Sequence, residues 1–76
     1  MENKFTWGDP VIIAKKAPTN FHPGEFASVC GFRKISSELN AKKFQCRIGH
    51  WIYTVEFMDG SSIEVPEIYL EKFKKE

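Results

Sequence analysis

The stretch Trp51-Ile52-Tyr53-Thr54-Val55-Glu56-Phe57-Met58-Asp59-Gly60-Ser61-Ser62-Ile63-Glu64-Val65-Pro66 decides the fold. Every residue of its first seven except Glu56 is aromatic or β-branched. Tyr53, Val55 and Phe57 alternate with Thr54 and Glu56, the period of two that gives a strand one apolar and one polar face. Asp59-Gly60 turns the chain, and Ser62-Ile63-Glu64-Val65 alternates on the way back until Pro66, which has no N–H for a ladder. Parity chooses the loop. A two-residue Asp59-Gly60 loop would set Val55 against Glu64 and Phe57 against Ser62, apolar against polar on both faces. A three-residue loop, Met58-Asp59-Gly60, sets Phe57 against Ser61, Val55 against Ile63 and Tyr53 against Val65, and leaves Glu56 and Glu64 together on the outer side. The second is expected, with Gly60 in the left-handed conformation after a type I turn. Pro66 suits the first position of a short helix or 3₁₀ turn, in which Ile68, Tyr69, Leu70 and Phe73 close one end of the core, and Lys74-Lys75-Glu76 are expected to fray.

Upstream, Pro10-Val11-Ile12-Ile13-Ala14 reads as a first strand between Gly8-Asp9 and Lys15-Lys16-Ala17-Pro18. Pro18, Asn20, Pro23 and Gly24 force a loop over residues 16–25, with Pro23-Gly24 as the central pair of a type II turn and Phe21-His22 at the tip. Phe26, Val29, Phe32 and Ile35 mark a second strand, bent at Gly31 by a bulge or by close backbone approach. Ser36 or Ser37 is placed to cap one helical turn through Glu38-Leu39-Asn40-Ala41-Lys42-Lys43. The expected core is Trp7, Val11, Ile13, Val29, Tyr53, Val55, Phe57, Ile63, Val65 and Leu70.

The 76 residues form one domain spanning 1–76, and 42% apolar and 28% charged residues describe a folded chain rather than a disordered tail. No apolar run approaches the ~18 residues of a membrane span. Met1-Glu2-Asn3-Lys4 runs straight into Phe5 without a signal-peptide apolar region, so a cytoplasmic protein with no membrane partner is expected. The formal charge of +1 hides a segregation: residues 1–32 are neutral, residues 33–50 carry +4 and residues 51–76 carry −3. Such a dipolar chain suits a charged partner better than wholesale coating of nucleic acid.

These elements describe a mainly β fold, a small, highly bent barrel of about five strands with a short C-terminal helical turn. The order resembles the SH3-like barrels, and in particular small bacterial proteins of that kind. The resemblance lies in Trp7-Gly8-Asp9 before Val11, Pro23-Gly24-Glu25 before Ser28-Val29, Tyr53-Thr54-Val55-Glu56-Phe57 before Asp59-Gly60, and Val65-Pro66-Glu67 before Leu70. It implies the fold and carries no function over: similar patterns occur in small bacterial proteins of unknown function, in subunits that clasp larger enzymes and in ribosome-associated barrels, while an immunity-type inhibitor is one version of the protein-binding reading below. The acidic loop and Ala-Leu-Tyr-like strand of barrels that bind proline-rich peptides are not found here.

Chemistry-bearing sets are few. Cys30, Cys46, His22 and His50 have the composition of a zinc site, but they lack the paired spacing of two to four residues that lets one turn present two ligands. A nucleophilic cysteine would need a base, an orienting group and an enclosed pocket, which so small a barrel does not provide. The five glycines stand singly, so no phosphate-cradling loop is formed. No enzyme activity, cofactor or metal is therefore expected. Reduced thiols are expected at both cysteines rather than a disulfide. The favoured function is non-enzymatic protein binding, as an accessory subunit or inhibitor of a larger protein. Its expected surface combines Phe21 and His22 on the loop with Arg33, Lys34, Lys42, Lys43 and Arg47 in the basic segment. Nucleic-acid binding through residues 33–47 is the alternative, and exposed strand edges offer a route to self-association.

Overall fold

The computed structural model describes residues 3–44 and 46–73. Five strands, β1 (Pro10–Ile13), β2 (Phe26–Lys34), β3 (Trp51–Phe57), β4 (Ser62–Pro66) and β5 (Leu70–Lys72), are joined by 3₁₀ turns at Thr19–Phe21 and Glu67–Tyr69 and by one helix, α1 (Glu38–Lys43). All pairings are antiparallel, in the order β4-β3-β2-β1-β5. The fold is mainly β, as expected, but the sheet does not close: β4 and β5 are its two edges, with no ladder between them. No described helix is long and apolar enough to cross a membrane.

The hairpin takes the three-residue loop. Tyr53 lies opposite Val65, Val55 opposite Ile63 and Glu56 opposite Ser62, and Gly60 has φ +89°. Glu56 and Glu64 therefore share the outer face. Gly24 has φ +87°, and the Glu25 N–H donates to the His22 carbonyl across it, which completes the type II turn at Pro23-Gly24.

β2 explains its own odd spacing. Val29 pairs with Val55 and Gly31 with Thr54, so Cys30 is an extra residue on the β2 side. Ahead of this bulge Ala27 and Val29 face the core; beyond it the parity inverts and Phe32 does, beside Tyr53. Arg33 and Ile35 are thereby sent to the other face. There Ile35, Ile52 and Phe44 form a second, smaller core under α1. The bulge is real but close approach is not its reason: a Cβ at Gly31 would meet Thr54 at 3.8 Å, an ordinary contact. Ser37 is the residue that caps α1, its Oγ accepting from the Asn40 N–H at 3.3 Å.

The main core holds Val11, Ile13, Val29, Tyr53, Val55, Phe57, Val65 and Leu70, with Ile63 packed against it. Trp7 corrects the expected list, being 72% exposed. Thr6-Trp7-Gly8-Asp9 is a tight turn in which Asp9 accepts from the Thr6 N–H at 3.0 Å and Gly8 has φ +85°, so the indole stands at its tip. Phe5 takes the core position instead, edge-on to Tyr53 with ring centroids 5.5 Å apart. After the second 3₁₀ turn the chain continues as β5 beside β1, with Leu70 buried but Ile68 exposed. Phe73 packs edge-on against Phe26 rather than closing the core. Lys74-Lys75-Glu76 lie outside the described residues.

One polar group is buried with the core. Glu67 is 7% exposed, and its Oε2 accepts from the Tyr53 hydroxyl at 2.5 Å and from the Lys4 N–H at 3.1 Å. The Tyr53 hydroxyl in turn accepts from the Phe5 N–H at 3.2 Å. This network straps the N-terminal segment to β3 and to the turn between the two edge strands.

Val55→Ala removes a fully buried side chain from the sheet centre and should cost about 1–3 kcal/mol in a denaturant melt. Burial, and then the neighbouring Glu67 carboxylate, push the Tyr53 phenol up to about 12. The folded chain thus holds this proton more tightly than the unfolded chain, whose phenol titrates near ~10. The resulting stabilisation is complete below pH ~10 and is lost as pH rises through about 12. Thermal melts from neutral to strongly alkaline pH should show wild type losing stability above pH ~10 more steeply than Tyr53→Phe.

Candidate functional site

Four exposed cationic side chains, Lys34, Lys42, Lys43 and Arg47, come from three elements at one end of the molecule. Lys34 ends β2; Lys42 and Lys43 form the last turn of α1, where they also suit the negative end of the helix dipole; Arg47 follows on the way to β3. The second core fixes this framework. Phe44 is buried against Ile35 and Ile52, and its ring carries the Arg33 guanidinium at 5.7 Å and the Lys43 ammonium at 5.4 Å from the centroid. Lys34 lies 6.0 Å from the Trp51 ring, its partner in register. Arg33 also donates through Nε to Glu64 Oε2 at 2.9 Å, so its charge is matched, whereas Lys34, Lys42, Lys43 and Arg47 have no acidic partner among the described residues. Leu39 and Ile48 add exposed apolar area to the same segment.

Sequence reasoning found the cations but not the rings that order them. Lys34 against Trp51 follows from the register across β2 and β3, and Phe44 beside Lys43 is a sequence neighbour; each aromatic-cation pairing is worth ~0.5–1 kcal/mol at an exposed site.

Phe21 and His22 do not join this surface. Phe21 turns inward from its 3₁₀ turn and packs on the main core, 5.7 Å from the Tyr69 ring. His22 adopts a left-handed conformation (φ 60°, ψ 59°) and lies over Phe57, ring centroids 5.1 Å apart, with Nδ1 3.7 Å from Glu25. Trp51 and Phe57 stand at opposite ends of β3, six residue steps or about 20 Å apart. The expected single surface is therefore two. At the His22 end an open groove of about 360 Å³ is bordered by Phe26, Phe57, Met58 and the Glu25 and Asp59 carboxylates. The Ser61 hydroxyl and amide, both donating to Asp59 Oδ1, hold the Asp59 carboxyl below its ordinary range.

The cysteines are separate free thiols. Cys30 is exposed at the bulge, its Sγ 3.4 Å from the Thr54 carbonyl. Cys46, with His50, Lys4, Glu67 and Ile68, lines a second cavity of about 90 Å³, and burial pushes its thiol pKa up, away from the nucleophilic thiolate. Among the described residues no group of three or more His, Cys, Asp and Glu side chains is arranged to hold a metal ion.

The chain matches no protein-family model, and comparisons with characterised proteins and with solved structures find no similar protein.

Phe21→Ala should lower the melting temperature by several degrees, because it removes a ring packed on Tyr69 and the core, a loss of about 1–2 kcal/mol. An unchanged melting temperature would mean that the ring contributes nothing to the fold.

Proposed function

We propose that this chain is a non-catalytic protein-interaction module, an accessory subunit or inhibitor of a larger protein, and that it docks its cationic end on an acidic protein surface. The observation that carries this reading is the set Lys34, Lys42, Lys43 and Arg47, exposed together on a framework whose rings already order two of them. Long cationic side chains lose conformational freedom on docking, and restraining them beforehand reduces that loss. Fields from such a cluster speed encounter with an acidic partner, while the flanking Leu39 and Ile48 supply apolar contact.

The strand order, the long β1–β2 loop and the 3₁₀ turn before the last strand support kinship with SH3-like barrels, many of which work by binding. Free thiols at Cys30 and Cys46 support a reducing, cytoplasmic setting. Nucleic-acid binding through the same end is the less favoured alternative. Single strands are held by stacking bases on available aromatic faces, whereas Phe44 is buried and already carries two cations.

The test is a charge reversal. Lys42→Glu, Lys43→Glu and Arg47→Glu combined should leave the fold intact by circular dichroism. They should weaken capture of the partner cross-linked in extract of the source cell by about 10–100-fold at low salt, with the difference shrinking as salt is added. Undiminished capture by the triple variant would remove the proposal. Salt-dependent binding of single-stranded RNA or DNA by wild type, lost in the variant, would establish the alternative instead.

A further inference from the structure

We infer that the groove at the His22 end is a second binding site, which takes an arginine side chain presented by a partner protein. Its floor is aromatic. Phe57 is buried beneath His22, ring centroids 5.1 Å apart, so the rings open to an occupant are His22 and Phe26, the latter held beside them by its edge-on contact with Phe73, also at 5.1 Å. Its rim is acidic: Glu25 and Asp59 border the groove, and among the described residues no lysine or arginine does. Both hydrogen bonds from Ser61 to Asp59 fall on Oδ1, so neither occupies Oδ2. Aromatic faces with adjacent carboxylates form a field that selects a cation, and a planar guanidinium satisfies both parts at once. It stacks on the rings and presents a fork of N–H donors to a carboxylate, which an ammonium does not.

The size and shape identify the source. A volume of about 360 Å³ lies near the lower end of small-molecule sites (about 300–1,000 Å³), enough for one side chain. The groove is open, whereas a free small ligand is retained by burying most of its surface. An occupant here needs a larger body behind it. Met58, 89% exposed on the rim, offers a flexible, polarisable apolar contact for that body. His22 is the only described non-glycine residue with positive φ, set by the turn that runs on into Pro23-Gly24, so the ring is delivered to Phe57 by the loop itself.

The experiment follows amide resonances of the ¹⁵N-labelled full chain during titration with the peptide acetyl-Gly-Gly-Arg-Gly-Gly-amide and with its citrulline counterpart, which keeps the shape and lacks the charge. The arginine peptide should shift residues 22–26 and 57–61 in a saturable way, and the citrulline peptide should not. Glu25→Gln with Asp59→Asn, both at exposed positions and both keeping an acceptor oxygen, should weaken the arginine peptide at least tenfold while the rest of the spectrum stays in place. Met58→Ala should weaken it two- to fivefold. Equal shifts with citrulline, or full binding by the double variant, would overturn the site as a cation receptor; no shifts with either peptide would overturn it outright. Shifts of the same residues that grow with protein concentration alone, together with a dimer in sedimentation, would show the groove taking the cationic end of a second copy and would overturn the assignment to a different protein.

Discussion

The hydrogen bond from the Tyr53 hydroxyl to the buried Glu67 carboxylate is the contact on which the remaining architecture depends. An open sheet leaves its two edge strands to be held by something other than a ladder, and Glu67 lies in the turn that connects them. Removing a carboxylate from water is costly unless its oxygens are given donors, and Tyr53 and the Lys4 amide supply them. The same Tyr53 oxygen receives the Phe5 N–H, which seats Phe5 on the core. A single polar junction therefore joins the N-terminal segment, the central strand and the edge-to-edge connection. An apolar substitute would fill the space but would not dictate where the first residues go.

What was legible in the sequence was mostly local. The hairpin register followed from parity, because the three-residue loop, unlike the two-residue one, puts Tyr53 and Val55 against the apolar Val65 and Ile63. A helix cap at Ser36 or Ser37, which the structure resolves to Ser37, and the turns at Gly24 and Gly60 were readable for the same reason, each being decided within four residues. Trp7 was misread since size and hydrophobicity favour burial, while the Asp9-capped turn that exposes it is a matter of backbone geometry. The Tyr53–Glu67 junction spans fourteen residues and depends on how the edges meet, which no short-range pattern encodes. Of the candidate site, the cations clustered in sequence were found, while the contact of Lys34 with Trp51, which only the strand register creates, was not. The distance between His22 and the basic segment was invisible until β3 set them at opposite ends.

The two surfaces differ in more than sign. At one end charges stand out from a packed aromatic base; at the other, carboxylates border an open groove. Their separation along β3 gives the molecule a direction. A partner with one acidic and one basic region would align it before contact, since a dipolar body is turned as well as drawn by a complementary field.

The extra residue at Cys30 acts as a phase shifter. A regular strand shows the same face to the same side along its whole length, so one sheet face would be apolar throughout and the other polar throughout. By inverting the alternation part-way along β2, the bulge lets one strand line two separate cores, with Val29 and Phe32 on one side and Ile35 on the other. It also aims Arg33 at Glu64 and Phe44. The consequence lies in what the chain can tolerate. Loss of that one residue would not merely shorten β2; it would turn everything beyond it to the opposite face, taking Phe32 off the main core and Ile35 out of the second, and aiming Arg33 at the main core. The cationic end is thus tied to a count of residues rather than to any single side chain.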